Sequence, residues 1–190
     1  MTSQAVLDVV SELDAHRERF EEFCRSLSAE ELDRAVPQST WIVRDFIAHL
    51  ATIDGPVGQM FESMQTGVDA GIRDGDGGKF NVDGWNDRQV EKRRLLPLED
   101  VLTEAADERA ALRAKLLVLT DEDLARTLKF AGDSKRQPTE IPFGVYLRGW
   151  CKHDPMHAMD MSRALPERQA ALAPWFDDPV IQGYQKAMNR

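Results

Sequence analysis

The sequence predicts an all-α protein, a four-helix bundle, and three observations lead there. Leu, Ala, Glu, Asp and Arg dominate, and aromatic residues make up only 7% of the 190, a mixture that favours helices over strands. Four segments carry apolar residues at three- and four-residue steps. No stretch alternates apolar and polar residues as a half-buried strand does. With 42% hydrophobic and 30% charged residues, the chain fits one globular domain over 1–190 with a full-sized core. Four amphipathic helices bury their stripes most simply against one another.

Taken in order, the first long helix is expected at 4–26, where Val6, Val9, Val10, Leu13, Phe20 and Phe23 recur with charge between them. Ser28 and Glu31 form a capping box that opens a short helix over 29–34, and Pro37 stops it. Thr40 suits the cap of a second long helix over 41–65. From Gly67 to Gly84 the chain holds six of its twelve glycines with Asp69, Asp74, Asp76 and Asp83. This Gly-rich loop, 67–84, is too polar to be an element; such loops serve as lids or binding loops, or are disordered. A helical turn or two fits 86–95. Pro97 then opens a third long helix over 98–119, with Val101, Leu102, Ala105, Leu112, Leu116 and Leu119 on its apolar face. Thr120 and Asp123 repeat the earlier cap before Leu124, as though the chain were two helix–short-helix–helix halves. Residues 131–142 read as a second loop. The fourth long helix, 143–165, ends at Pro166, and the tail has room for a short terminal helix.

The formal charge is −9, and the densest basic run, Lys92-Arg93-Arg94, is short. A polyanion would be repelled, which excludes nucleic acid as the expected partner, and nothing basic is present to dock on anionic lipid. Two distant cysteines, Cys24 and Cys151, exclude a disulfide framework and indicate a reducing compartment. The first ten residues carry Asp8 and lack a basic n-region, so no signal peptide is expected. No apolar run approaches the ~18–20 residues that cross a bilayer. The expected location is the cytoplasm and the expected partner a small molecule; the composition is compatible with a homodimer.

The histidines carry the chemistry. At ~100° per residue, Ile42, Phe46, Ile53 and Met60 lie within about 40° of one another, and His49 falls in that stripe. On the fourth helix Phe143, Tyr146, Leu147, Trp150, Met161 and Ala164 define the inner face. His157 sits near its centre and His153 towards one edge, one turn apart at i, i+4. His16 stands among charged residues and reads as a solvated group. A polar ring on a buried face costs roughly 1–3 kcal/mol unless it finds a partner. Two readings therefore stay open: hydrogen-bonded core histidines, or a metal site built from His49, His153 and His157. Pro155 removes a backbone hydrogen bond to Cys151 and predicts a kink. A fresh helix with Asp154 as its cap and Pro155 first would break the i, i+4 geometry. The apolar face stays in phase across Pro155, which favours one kinked helix. Cys151 is offset from the inward face and reads as a packed thiol.

Two stretches resemble a known family. Trp41-Ile42-Val43-Arg44-Asp45-Phe46-Ile47-Ala48-His49-Leu50 is similar to the second-helix motif of the DinB/YfiT-like superfamily. In particular it resembles the actinobacterial branch of the mycothiol-dependent maleylpyruvate isomerase metal-binding (N-terminal) domain. His153-x3-His157-x2-Asp160-Met161-Ser162-Arg163-Ala164-Leu165 is similar to that branch's fourth-helix motif. The resemblance covers most of the chain, loops included. It implies a DinB-like bundle with up-down-down-up topology, long crossover loops and short accessory helices, and a divalent metal, zinc or nickel, on His49, His153 and His157. It implies action with a low-molecular-weight thiol such as mycothiol. The isomerase branch carries Glu where this chain has His153, which aligns the chain with the wider superfamily. The isomerase also has a second domain, for which 190 residues leave no room. Trp85, Asn86 and Arg88 match residues found after the loop in relatives and are expected on the substrate side, although an ordinary cap and surface turn would look alike.

Three neutral imidazoles leave a coordination position open, as in catalytic zinc sites. Asp160, three residues from His157, and Asp45, four from His49, share a face with their histidines and can accept a ring N–H. Asp160 can equally pair with Arg163 at the surface. The function expected is metal-dependent activation of a thiol or water for attack on a small electrophile, in a thiol S-transferase, isomerase or hydrolase. The alternative is a non-catalytic metal- or ligand-binding bundle with a role accessory to stress or detoxification.

Overall fold

A computed structural model describes residues 2–66 and 80–188. Eleven α-helices and one hairpin follow in order among those residues. These are α1 (Gln4–Arg25), α2 (Ala29–Leu32), α3 (Val43–Leu50), α4 (Asp54–Thr66), α5 (Val82–Arg93), α6 (Leu98–Leu116), α7 (Asp121–Ala125), β1 (Thr127–Phe130), β2 (Thr139–Pro142), α8 (Phe143–Trp150), α9 (His153–Ser162), α10 (Gln169–Phe176) and α11 (Pro179–Met188). The fold is a helical bundle, as expected. Both short capped helices are present: Ser28 with Glu31, and Thr120 with Asp123, form reciprocal capping boxes.

Two of the four long helices are broken. The segment expected as one helix over 41–65 starts at Val43, because Ala35 and Ile42 form a β-bridge and Ile42 itself is extended. Thr40 is therefore not the cap. Ile42 holds that place, and its N–H donates to the Asp45 carboxylate at 3.2 Å. The helix stops at Leu50, where the Thr52 hydroxyl donates to the His49 carbonyl at 2.9 Å and competes for the acceptor that continuation needs. α4 begins afresh at Asp54.

The segment expected as one kinked helix over 143–165 likewise divides. α8 ends at Trp150, the Lys152 N–H turns back to Gly149, and α9 starts at His153. Pro155 is the third residue of α9, inside the first turn, where a backbone N–H has no helical partner to lose. The proline selects a helix start and not a kink. His153 and His157 both lie in α9, so their i, i+4 relation survives the break. α9 closes at Ser162, and a 3₁₀ turn runs from Pro166 to Arg168.

Other boundaries shift. Residues 82–93 are a full helix capped by the Asn81 side chain, which accepts from the Gly84 N–H at 3.0 Å. The end of the predicted Gly-rich loop is thus helical, and its stretch 67–79 lies outside the described residues. The expected loop over 131–142 ends as a strand: β1 pairs antiparallel with β2, Leu128 opposite Ile141. Four-residue strands are too short for alternation to show. At the hairpin tip Gly132 has φ +85°, and a Cβ there would meet the Arg136 carbonyl oxygen at 2.8 Å, so only glycine fits. His16, expected in solvent, is half-buried and accepts from Trp175 Nε1–H at 2.9 Å.

The apolar core falls into two clusters. One gathers Phe20, Phe23, Phe46, Ile47, Leu102, Met161 and Trp175; the other gathers Val6, Leu13, Val57, Phe61, Leu112, Phe143 and Leu147. Along α1, α6 and the two broken helices, one buried charged residue stands between the two sets: Arg17, Asp54, Arg109 and Asp154. All four are at most 6% exposed. Arg17 grips Asp154 with Nε at 2.8 Å and Nη2 at 3.2 Å, and reaches Asp54 at 3.5 Å. Arg109 Nε meets Asp54 at 2.7 Å, its Nη2 reaches Asp154 at 3.4 Å, and its Nη1 donates to the Leu13 carbonyl at 2.6 Å. Burial alone would weaken the Arg17 charge, but Asp154 and Asp54 outweigh it and hold the group above its ordinary value.

Removing one partner leaves a buried charge uncompensated. Arg17→Met is expected to lower the unfolding free energy by about 3–5 kcal/mol in urea denaturation. Truncating the exposed Arg25, paired with Glu99, should cost less than about 1 kcal/mol. Equal costs for the two variants would contradict this account.

Candidate metal centre

α3 delivers His49 from its last turn, and α9 delivers His153 as its first residue and His157 one turn on. One ring nitrogen from each of the three lies within 4.8 Å of the others, so the group can hold a metal ion. Ring centroids are 4.6 Å apart for His153 and His157, 4.9 Å for His49 and His157, and 5.5 Å for His49 and His153. Asp160 Oδ2 lies 3.0 Å from His157 Nδ1, which leaves Nε2 of that ring for another partner. Nδ1 of His49 and of His153 is buried with no hydrogen-bond partner among the described residues.

Two of the rings, His49 and His153, resist protonation. Burial first, and then the neighbouring His157, push His49 well below its ordinary value. Burial, the other two histidines and the Arg17 and Arg109 guanidiniums do the same to His153. Neutral imidazole is the form that ligates metals. Buried, unpartnered nitrogen atoms on neutral rings fit a divalent ion.

Aromatic side chains wall the group. Trp150 stacks on His153 with centroids 4.5 Å apart and planes 11° off parallel, and its Nε1–H donates to Asp54 at 3.2 Å. Trp41 lies against His49 at 5.2 Å and Phe46 against His157 at 5.5 Å. The three histidines open onto a cavity of about 1010 Å³, lined also by Ile53, Val57, Phe80, Trp85, Asn86 and Tyr146.

The other residues singled out in the sequence divide. Asp160 meets both partners that were weighed for it: His157 on one oxygen, and Arg163 Nη2 at 3.0 Å on the other. Asp45 does not meet His49. Its carboxylate takes Arg94 Nε and Nη2, each at 3.1 Å, besides the Ile42 N–H, and so ties α3 to the end of α5. A shared helix face gave Asp45 the right direction, but a capping duty and a full guanidinium fork claimed it. Trp85 and Asn86 line the cavity, and Asn86 Oδ1 is buried without a partner; Arg88 is exposed and does not line it. Both cysteines are buried, and burial pushes the Cys151 thiol up to about 12, far from a thiolate ligand. Sequence reasoning missed Asp54 and Asp154 beneath the site and Tyr184 beside it. Asp54 and Asp154 each stand one residue from an apolar neighbour on a broken helix, and no periodicity marks them.

A family model, the mycothiol maleylpyruvate isomerase N-terminal domain, matches residues 13–160. Two solved structures share the fold: the mycothiol-dependent maleylpyruvate isomerase, with TM-score 0.61 and 10% identity, and a histidine-to-alanine mutant of it, with TM-score 0.62 and 11% identity. Each match covers 82% of this chain, and the chain spans 60% of the length of those structures. At such identities the likeness shows the fold alone. No curated protein is significantly similar in sequence. No helix among the described residues is long and apolar enough to cross a membrane.

The neutral rings make stability depend on pH. In the folded, metal-free protein His49 and His153 resist protonation, while unfolded they protonate near 6.5. The unfolded chain then binds more protons below that value, so stability is full above about pH 6.5 and falls as pH drops through it. From pH 7.5 to 5.5 the loss should be about 1 kcal/mol per ring. Thermal melts of chelator-treated protein should show it, and His49→Gln should remove part of it; an unchanged slope would contradict the assignment.

Proposed function

The chain belongs to the mycothiol maleylpyruvate isomerase N-terminal domain family, and on that basis we propose that it is a divalent-metal-dependent enzyme acting on a small electrophile. Its co-substrate would be a low-molecular-weight thiol of the mycothiol type, or water. One observation carries the reading: three histidine rings meet at the wall of a large cavity whose lining includes Trp41, Phe46, Trp85 and Trp150. His49, His153 and His157 would hold the metal, zinc or nickel by the donor set. The ion supplies positive charge that favours the deprotonated, nucleophilic form of water or a thiol.

The chain's own residues do the rest. Asp160 accepts from His157 Nδ1 and keeps that ring turned toward the cavity. Asp54, by holding the Trp150 indole, fixes the surface on which His153 stacks. Trp41, Phe46 and Trp150 exclude water from the rings and give an apolar substrate a surface to lie on. Trp85 and the unpartnered Asn86 Oδ1 are placed to contact it.

The test is to load purified protein with zinc or nickel and incubate it with monochlorobimane or a halonitrobenzene, with and without mycothiol. Thiol-dependent conjugation that is lost on chelation supports the reading. His157→Ala should lower metal affinity by more than the roughly 10–100-fold typical of an outer partner. Tight metal binding with no conjugation across several electrophiles would replace this reading with a non-catalytic, metal- or ligand-binding bundle.

A further inference from the structure

α11 brings a second donor to the carboxylate that holds His157. The Tyr184 hydroxyl donates to Asp160 Oδ2 at 2.9 Å, the oxygen that also meets His157 Nδ1 at 3.0 Å. The other oxygen takes Arg163 Nη2, and Arg163 donates through Nη1 to Gln38 at 3.3 Å. Asp160 is 4% exposed, so its charge is compensated by these three partners and not by solvent. Tyr184 lines the cavity. It stands 24 residues beyond Asp160, whereas the family match ends at residue 160.

We propose that Tyr184 is a positioning residue of the metal centre: by sharing the Asp160 carboxylate with His157, it fixes the ligand ring and makes α11 part of the site. The inference rests on the metal reading above. With one oxygen held by two donors and the other by a guanidinium, the carboxylate has no free rotation about its terminal torsion. His157, tied to it, inherits that restraint. Burial and the Asp160 charge push the Tyr184 hydroxyl above its ordinary value, so it keeps its proton and stays a donor. A tyrosine that only fastened α11 onto α9 would add stability without acting through Asp160.

A double-mutant cycle on the full chain separates the two. Zinc affinity is measured by competition with a chromophoric chelator for wild type, Tyr184→Phe, Asp160→Asn and the double variant. Tyr184→Phe is expected to weaken zinc binding by about threefold to tenfold and Asp160→Asn by about 10–100-fold. The double variant should bind no more weakly than Asp160→Asn alone, because Tyr184 acts through that carboxylate. Wild-type affinity in Tyr184→Phe, or fold-changes that multiply in the double variant, would overturn the proposal and leave the metal reading standing. Absence of zinc binding by wild type would overturn the metal reading itself. Hydrogen exchange gives an independent readout: zinc should slow exchange of the α11 amides in wild type and not in Asp160→Asn, by reciprocity of coupling. Unchanged α11 exchange on zinc addition to wild type would count against it.

Discussion

Arg17, Asp54, Arg109 and Asp154 draw a charged layer through an otherwise apolar bundle, and much of the architecture follows from it. Each carboxylate meets both guanidiniums, and the four residues come from α1, α4, α6 and α9. Those contacts close only when the four helices share one register. Four charges that are all buried tolerate no slippage, because any loss of pairing leaves an ion in a low-dielectric interior. An apolar layer of equal volume would stabilise the fold as well, but it would accept small shifts of one helix along another.

The layer also marks where two helices break. α3 gives way to α4 at Asp54, and α8 to α9 just before Asp154. The breaks put helix ends, not helix middles, at the level of the charges. His49 leaves the last turn of α3, and His153 opens α9. The histidine group is therefore built on helix termini braced by the ion layer, with Asp54 linked through the Trp150 indole to the ring of His153. Rigid elements hold such a site more closely than loops do.

The same layer acts on the charge state of the site. Its arginines are among the groups that disfavour protonation of His153, after burial and the other histidines. His49 and His153, held neutral, carry no proton that a bound cation would have to displace. The chemistry of the cavity thus depends on groups outside it, as is general where imidazoles are meant to bind metal.

The sequence by itself determined the helical class, the two capping boxes, the apolar stripes and the placement of His49, His153 and His157 on inward faces. Those features are local: a period near 3.6, a serine or threonine three residues before a carboxylate, an i, i+4 pair. The spacing of Asp160 from His157 was legible for the same reason. What the tertiary structure decided was pairing between segments far apart in the chain. The diversion of Asp45 to Arg94 and the contact of Tyr184 with Asp160 both depend on a distant partner. So does the burial of Arg17 and Arg109. A buried charge is stable only with its counter-ion, and that counter-ion lies as many as 137 residues away.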